Sequence, residues 1–229
     1  MEIRTSTLEI TDLERLDLKT EQVDGKRFYV DTQGNKYPSV TTVTSLLTRD
    51  QIKLWRERVG EDEANRVSKK ATSRGTRIHQ HIEDYLRKEK PYIEFKNVLE
   101  EAMFKGVKPV LDGIVPLALE APLYSSHLKM AGRVDCIGMF EGTLSVIDFK
   151  TSEKYKKEEY AKPWFVQMTA YSLMVEELTG VPIEECMALV CLPDGNFQMF
   201  FCNPIDYVCL LYTSPSPRDQ RGSRMPSSA

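Results

Sequence analysis

Gly132-Arg133-Val134-Asp135-Cys136-Ile137-Gly138-Met139-Phe140-Glu141-Gly142-Thr143-Leu144-Ser145-Val146-Ile147-Asp148-Phe149-Lys150 reads as a β-hairpin with two carboxylates and a lysine gathered at one end. Glu141-Gly142 sits between two apolar, β-branched runs, the pattern of a two-residue turn. Pairing around that turn sets Phe140 opposite Thr143 and Met139 opposite Leu144, and Asp135 then falls opposite Asp148. Side chains alternate along a strand, so Lys150 shares the face of Asp148. That face carries Met139, Ile137, Val146 and Leu144 near the turn and the three charged groups at the far end. The other face carries Phe140, Cys136, Val134, Ile147 and Phe149.

Two carboxylates facing each other destabilise a ladder unless something compensates. At ~5 Å in a partly buried setting the repulsion is about 3 kcal/mol. A hard divalent cation bridging their oxygens would turn that cost into binding energy. A lysine beside such a site can fix a water or neutralise a phosphate, as phosphodiester hydrolysis requires. The alternative is an exposed strand end where the acids are solvated and Lys150 screens them.

Asp135, Asp148 and Lys150, as Asp, twelve residues, Asp-x-Lys, resemble the metal-binding core of the PD-(D/E)XK nuclease superfamily. Gly75-Thr76-Arg77-Ile78-His79 matches the Gly-x-x-x-His motif that precedes this core in RecB-like nucleases. Gln167-Met168-Thr169-Ala170-Tyr171 matches the Gln-x-x-x-Tyr motif that follows it. Within that group, Tyr37-Pro38-Ser39-Val40-Thr41-Thr42-Val43 and Ile147–Lys154 resemble the mitochondrial genome-maintenance exonucleases and their phage relatives. The resemblance runs from about Tyr37 to Phe201.

The chain of 229 residues is long enough for one substantial core. No apolar run is long enough to cross a membrane, and Met1-Glu2-Ile3-Arg4 lacks the layout of a secretory signal or of an Arg-rich transit segment. A cytoplasmic setting in a bacterial or phage-infected cell is therefore expected. Five cysteines without a Cys-x-x-Cys argue against a disulfide framework or zinc ribbon. Cys186, Cys191 and Cys202 lie in apolar stretches and read as small buried hydrophobes. Thr213–Ala229 is rich in Ser, Pro and Arg and resembles translated cloning adapter. The expected organisation is a single nuclease domain over residues 1–212, lacking its closing helix, with the natural frame ending near Tyr207 and a disordered foreign tail over 213–229. That tail holds three Arg and one Asp, so excluding it moves the net charge from −3 to −5.

Periodicity supplies the remaining elements. Arg27–Val30 and Lys36-Tyr37 predict a small hairpin around Gly34-Asn35. Gln51–Arg58 and Glu61–Ala71 predict helices, and Thr72 or Ser73 is placed to cap a separate helix to about Lys88 with Ile78, Ile82, Tyr85 and Leu86 as its apolar stripe. A helix near Val98–Val107 and a strand near Pro116–Glu120 precede the hairpin. Pro163 suits the first turn of a helix to Glu177, stopped by Gly180. Met187–Leu192 and Phe197–Phe201 flank the turn Pro193-Asp194-Gly195. Both faces of the central hairpin are largely apolar, so the sheet must be covered twice. The fold class is α/β: a mixed central β-sheet flanked by helices, with a restriction-endonuclease-like PD-(D/E)XK core implied by the resemblance.

The resemblance also implies roles. Asp135, Asp148, His79 and the carbonyl of Phe149 would hold Mg2+ or Mn2+, and Lys150 would position or activate the attacking water. Gln167 and Tyr171 share a helix face beside the metal. A helical His beside an apolar stripe is also a common packed residue, and the Gln–Tyr pair is also an ordinary helix surface. Glu83, one turn after His79, is a candidate to orient it or a surface charge. Glu120 stands where relatives often carry an acid.

Overall acidity does not suggest nucleic-acid binding, but Arg66, Lys69, Lys70, Arg74 and Arg77 lie in a run without Asp or Glu, and Lys154, Lys156 and Lys157 follow the strand that carries Asp148 and Lys150. Both groups flank the motifs, so they are read as phosphate guides rather than a solvated face. The expected activity is a metal-dependent DNA exonuclease acting from single-stranded ends, in the company of replication or recombination proteins. A structure-specific or flap endonuclease, or a DNA-binding module without catalysis, are the alternatives.

Overall fold

The computed structural model describes residues 8–90 and 93–213. The chain opens with a 3-10 turn (Ile10–Arg15) and a three-stranded antiparallel sheet of β1 (Lys19–Val23), β2 (Lys26–Val30) and β3 (Lys36–Pro38). The β2–β3 hairpin is the one expected. The exposed strand β1 escaped the sequence because its five side chains show no apolar alternation.

Three helices follow: α1 (Val40–Thr44), α2 (Arg49–Val59) and α3 (Glu61–Arg87). Here the expectation of a cap at Thr72 or Ser73 is corrected, because α3 runs unbroken through Gly75. Both hydroxyl residues are used inside the helix: the Thr72 carbonyl accepts from Thr76 Oγ1 at 3.1 Å, and Ser73 Oγ accepts from Arg77 at 2.6 Å. One internal glycine costs about 1 kcal/mol. The buried stripe of Ile78, Ile82 and Leu86 outweighs it, since packing rather than propensity supplies most helix stability in proteins.

Helix α4 (Val98–Leu111) leads into the main sheet: β4 (Ile114–Ser125), β5 (Met130–Phe140), β6 (Thr143–Thr151), then α5 (Lys162–Thr179), β7 (Glu185–Cys191) and β8 (Phe197–Cys202). Strand order is β4-β5-β6-β7-β8, antiparallel except for the parallel β6/β7 pair that α5 connects. Pro163 lies in the first turn of α5, and left-handed Gly180 (φ 72°) closes it. Helix α5 covers one face through Phe165, Met168, Tyr171 and Met174, together with Ile137 and Val146. Helices α3 and α4 cover the other through Ile78, Ile82, Met103 and Phe104, together with Cys136, Ile147 and Phe149. The mixed sheet covered on both sides is thus present.

The β5/β6 register matches the hairpin reading from Phe140↔Thr143 to Cys136↔Ile147, where the ladder ends. Asp135 and Asp148 are therefore not a ladder pair. Val134 is a second correction: it packs with Ile137 on the α5 face, not with Cys136. Strict alternation fails because the strand reverses its facing at Asp135.

After β8, a 3-10 turn (Pro204–Tyr207) continues into α6 (Val208–Thr213), whose Leu211 is buried against the α5 face. The described structure therefore runs six residues past Tyr207, to Thr213. The remainder of the expected foreign tail, residues 214–229, lies outside the described residues. Cys186 and Cys191 are buried and Cys202 half-buried.

Candidate active site

The reversal at Asp135 has a counterpart on the neighbouring strand. Leu119 pairs with Cys136 and Ala121 with Val134, which sets Glu120 across from Asp135. Leu119 packs on the α3 face, and both Ala118 and Ala121 pack on the α5 face. Between them Glu120 has φ 48°, in the left-handed region. A bulky residue there, in the middle of a strand, costs on the order of 1–3 kcal/mol and persists only where its surroundings impose it.

Those surroundings come from far along the chain. Glu14 Oε1 accepts the Leu119 backbone N–H at 2.5 Å. Arg87 donates to Glu14 Oε2 at 2.9 Å, to the Leu119 carbonyl at 2.8 Å and to Glu83 at 2.9 Å. Arg133 donates to the Glu120 carbonyl at 2.6 Å. The backbone on either side of Glu120 is thus gripped by side chains. Glu83, a candidate to orient His79 or a surface charge, pairs with Arg87 through an i,i+4 contact along its own helix face.

The clamp presents Glu120 to His79 and Asp135. One ligand atom from each of these three lies within 4.8 Å of the others, all half-buried. His79 Nδ1 is 3.5 Å from Asp135 Oδ2, and the same oxygen accepts the Phe149 N–H at 2.8 Å. His79 also packs edge-on to the Phe149 ring, with centroids 6.4 Å apart. The backbone N–H of Phe149 thereby fixes Asp135 across the gap where the ladder stops.

Asp148 and Lys150 stand beside this group. Lys150 Nζ is 2.5 Å from Asp148 Oδ2, and Gln167 Nε2 lies 3.4 Å from Asp148 Oδ1. Gln167 also donates to Tyr171 Oη at 3.4 Å, so the Gln-x-x-x-Tyr pair does meet the Asp-x-Lys end. The Tyr171 ring lies against Gly132, where a Cβ would come within 2.7 Å of Cε1. Any larger residue at Gly132 would push the ring off this position.

Charge crowding shows in the acidities. Burial, followed by Asp135 and Glu83, pushes Glu120 up to about 7. Burial raises Asp148 to about 6; Lys150 pulls it down, and Asp135 pushes it up. Burial works to lower Lys150, but Asp148 and then Asp135 overcome it, so the ammonium keeps its proton more firmly than usual. Burial holds the Tyr171 phenol above its ordinary range, so it stays neutral. Carboxylates forced together in a partly dry setting, with an imidazole among them, are a donor set suited to a hard divalent cation.

The basic residues divide. Arg74 is buried and paired with Glu153, Arg77 pairs with buried Glu100 at 2.7 Å, and Arg66 pairs with Glu63 at 2.7 Å. Lys69, Lys70 and Lys154 are exposed and form no ion pair within 4 Å among the described residues, although Lys70 lies near enough to Glu153 to help hold its carboxyl below the usual range. An open hollow of about 450 Å³ lined by Lys26, Thr41, Thr42, Ser45 and Arg49 includes none of the charged cluster, so charge rather than depth marks this site.

Glu14 and Arg87 were invisible in the sequence, since Glu14 sits in an ordinary charged turn and its partner backbone is remote. Glu120 was legible only as an acid ahead of the hairpin.

The profile of the PD-(D/E)XK nuclease superfamily matches residues 53–204. The chain is similar to mitochondrial genome maintenance exonuclease 1 of Homo sapiens, 31% identical over 179 residues, covering 72% of this chain and 52% of that protein. The Mus musculus protein of the same name is 28% identical over 151 residues, covering 61% and 44%. That of Xenopus tropicalis is 29% identical over 152 residues, covering 58% and 42%. The chain spans about half the length of these curated relatives. Nucleases of this superfamily use divalent metals, which agrees with the donors gathered around Asp135. With the profile spanning the hairpin, α3 and α5, the chain belongs to the PD-(D/E)XK nuclease superfamily.

Proposed function

We propose that this protein is a Mg2+- or Mn2+-dependent DNA exonuclease that works from single-stranded ends. The observation that carries it is the convergence of His79, Glu120 and Asp135 within 4.8 Å, beside the Asp148–Lys150 pair at 2.5 Å. The names of the relatives support the exonuclease direction.

His79, Asp135 and Asp148, with the Phe149 carbonyl and now Glu120, are the residues that would hold the metal. When bound, the cation supplies Lewis-acid stabilisation of the charge that builds on the phosphoryl oxygens. Lys150 remains an ammonium beside Asp148 and donates to the attacking water or to the phosphate. Gln167 holds Asp148 Oδ1, which fixes the carboxylate rotamer. Tyr171 packs beneath as a neutral phenol and supports Gln167. Lys69, Lys70, Lys154 and the exposed Arg66 carry the phosphate guidance first read in a longer run; Arg74 and Arg77 pair with Glu153 and Glu100.

The expected domain, residues 1–212, is the catalytic unit of this proposal. The relatives are named for mitochondria, whereas the sequence pointed to a bacterial or phage-infected cell, and fractionation of the source cell decides between them. Among the described residues no helix is long and apolar enough to cross a membrane.

The test is incubation with end-labelled linear and with circular single-stranded DNA, in Mg2+, Mn2+ or EDTA. Metal-dependent loss of the linear strand with the circle intact is expected. Cutting of the circle indicates an endonuclease, and no cleavage in any metal removes the enzyme. Lys150→Ala should reduce hydrolysis at least ~1000-fold while leaving DNA binding nearly unchanged, because it removes one phosphate contact among several.

A further inference from the structure

We propose that the loop after β6, residues 152–161, is a stacking platform for the bases of an unpaired nucleic-acid strand, with Tyr155 and Tyr160 as its rings and Lys154, Lys156 and Lys157 as its phosphate contacts. The proposal rests on the nuclease reading of the adjoining site and names the substrate feature that site selects.

The rings stand out by exposure. Among the described aromatic side chains, Tyr155 and Tyr160 are the most exposed, at 59% and 53%. Phe201 follows at 41%, and its ring is already stacked on Phe140. One exposed tyrosine needs no explanation. Two within six residues, on a loop that leaves the catalytic strand directly, do.

The loop is built to hold still. The Gln198 side chain grips Lys156 at both backbone groups: Lys156 N donates to Oε1 at 2.7 Å, and Nε2 donates to the Lys156 carbonyl at 2.9 Å. Ser152 N donates to the Cys191 carbonyl at 3.1 Å, and Ser152 Oγ donates to the Lys154 carbonyl at 2.6 Å. Tyr160 N closes the 3-10 turn Glu158–Ala161 by donating to the Lys157 carbonyl at 3.0 Å. Rings on a pre-ordered loop lose little freedom when a ligand arrives.

Charge on the loop suits a polyanion. Lys156 Nζ lies 5.9 Å from the centre of the Tyr160 ring, which leaves that ring beside a cation. Lys154 and Lys157 are exposed and lack a carboxylate partner among the described residues. Of the acids in the loop, Glu153 is taken by Arg74, which leaves Glu158 and Glu159 at the start of the turn. Tyr155 also reaches Asp194, at 3.5 Å. Five residues of chain span at most ~18 Å, so Tyr155 lies within a few nucleotides of Lys150.

Bases in a duplex are stacked on one another and cannot offer a face, whereas unpaired bases can, with little regard to sequence. The platform therefore selects unpaired strands. The test uses a fluorescein-labelled oligo-dT strand, a strand of equal length made of abasic residues, and a blunt duplex. Binding is measured by anisotropy in EDTA, so that nothing is cleaved. The Tyr155→Ala/Tyr160→Ala double variant should bind oligo-dT ~10- to 100-fold more weakly. Its binding to the abasic strand and the duplex, and its Tm, should match wild type. The Tyr155→Phe/Tyr160→Phe variant should bind oligo-dT like wild type. Unchanged oligo-dT binding by the alanine variant overturns the proposal. So does an equal loss on the abasic strand, or a phenylalanine variant as weak as the alanine one. Cleavage of the same oligo-dT by wild type in Mn2+ is read separately. A strand that is bound through the tyrosines and never cut overturns the nuclease reading and leaves the platform standing.

Discussion

Glu141 and Glu120 have the same φ, 48°, and nothing else in common. Glu141 lies exposed in the two-residue turn between β5 and β6, followed by Gly142 at φ 84°. Positive φ at both central positions is what a hairpin with right-handed twist demands, so its strain is explained within four residues. Glu120 lies in the middle of β4, across from Asp135, where the twist demands nothing of the kind. Its strain is imposed by Glu14 and Arg87 acting on Leu119. The first conformation makes a turn. The second turns a carboxylate toward His79 and reverses the facing of two strands, so backbone strain here is part of how His79, Glu120 and Asp135 are gathered.

The largest effect should separate the two glutamates directly. Glu120→Gln should lower Mn2+ affinity and hydrolysis by at least ~100-fold, whereas Glu141→Gln should leave both unchanged. Isothermal titration with Mn2+ and an end-label assay measure this, and equal behaviour of the two variants would break the comparison.

The clamp comes next. Glu14→Ala removes the partner of a backbone N–H and of Arg87, at a cost of about 1–3 kcal/mol. It should also weaken metal binding ~10- to 100-fold, the usual range for a residue that orients ligands. Glu14→Gln, which keeps the acceptor, should recover most of the metal affinity. A variant that loses stability while binding Mn2+ normally would show that the clamp holds the strand without tuning the site.

pH provides a third test. Glu120 is raised from its ordinary value of 4.5 to about 7, so its protonated form is favoured in the folded state. Its contribution to stability is full below about 4.5 and is lost as pH rises through about 7. Asp148, raised to about 6, acts in the same direction. The metal-free protein should therefore fall in Tm between those pH values, and Glu120→Gln should flatten the fall. Mn2+ should restore the Tm most at the high end, since it competes with the proton and binds only the folded site. A fall of the same size in Glu120→Gln would remove Glu120 from the charge cluster.

The smallest effect is at the turn. Glu141→Asn places the preferred residue at that positive φ and should add about 0.5 kcal/mol or less to stability, with activity unchanged. Thermal melting reads it. A loss of activity there would show that the hairpin end communicates with the site.

Local pattern alone placed His79, Asp135, Asp148, Lys150, Gln167 and Tyr171 on their strands and helices. Alternation around Glu141-Gly142 gave the β5/β6 register as far as Cys136↔Ile147, and with it the approach of Asp135 to Asp148 and Lys150. Helical spacing placed His79 beside the buried Ile78 and Ile82, and set Gln167 one turn from Tyr171. These are consequences of periods of 2 and 3.6 residues, which a sequence carries in itself. Tertiary structure decided the rest. The Glu14 contact with Leu119 joins residues 105 positions apart, and the Arg87 contact with Leu119 joins residues 32 apart. Two of the arginines read as phosphate guides, Arg74 and Arg77, are paired with Glu153 and Glu100, both distant in sequence. Val134 faced α5 because the strand turned over at Asp135, and α3 ran through Gly75 because its packed face outweighed one glycine. Each outcome depends on which remote group arrives to satisfy a backbone amide, a charge or an apolar face, and no local repeat records that.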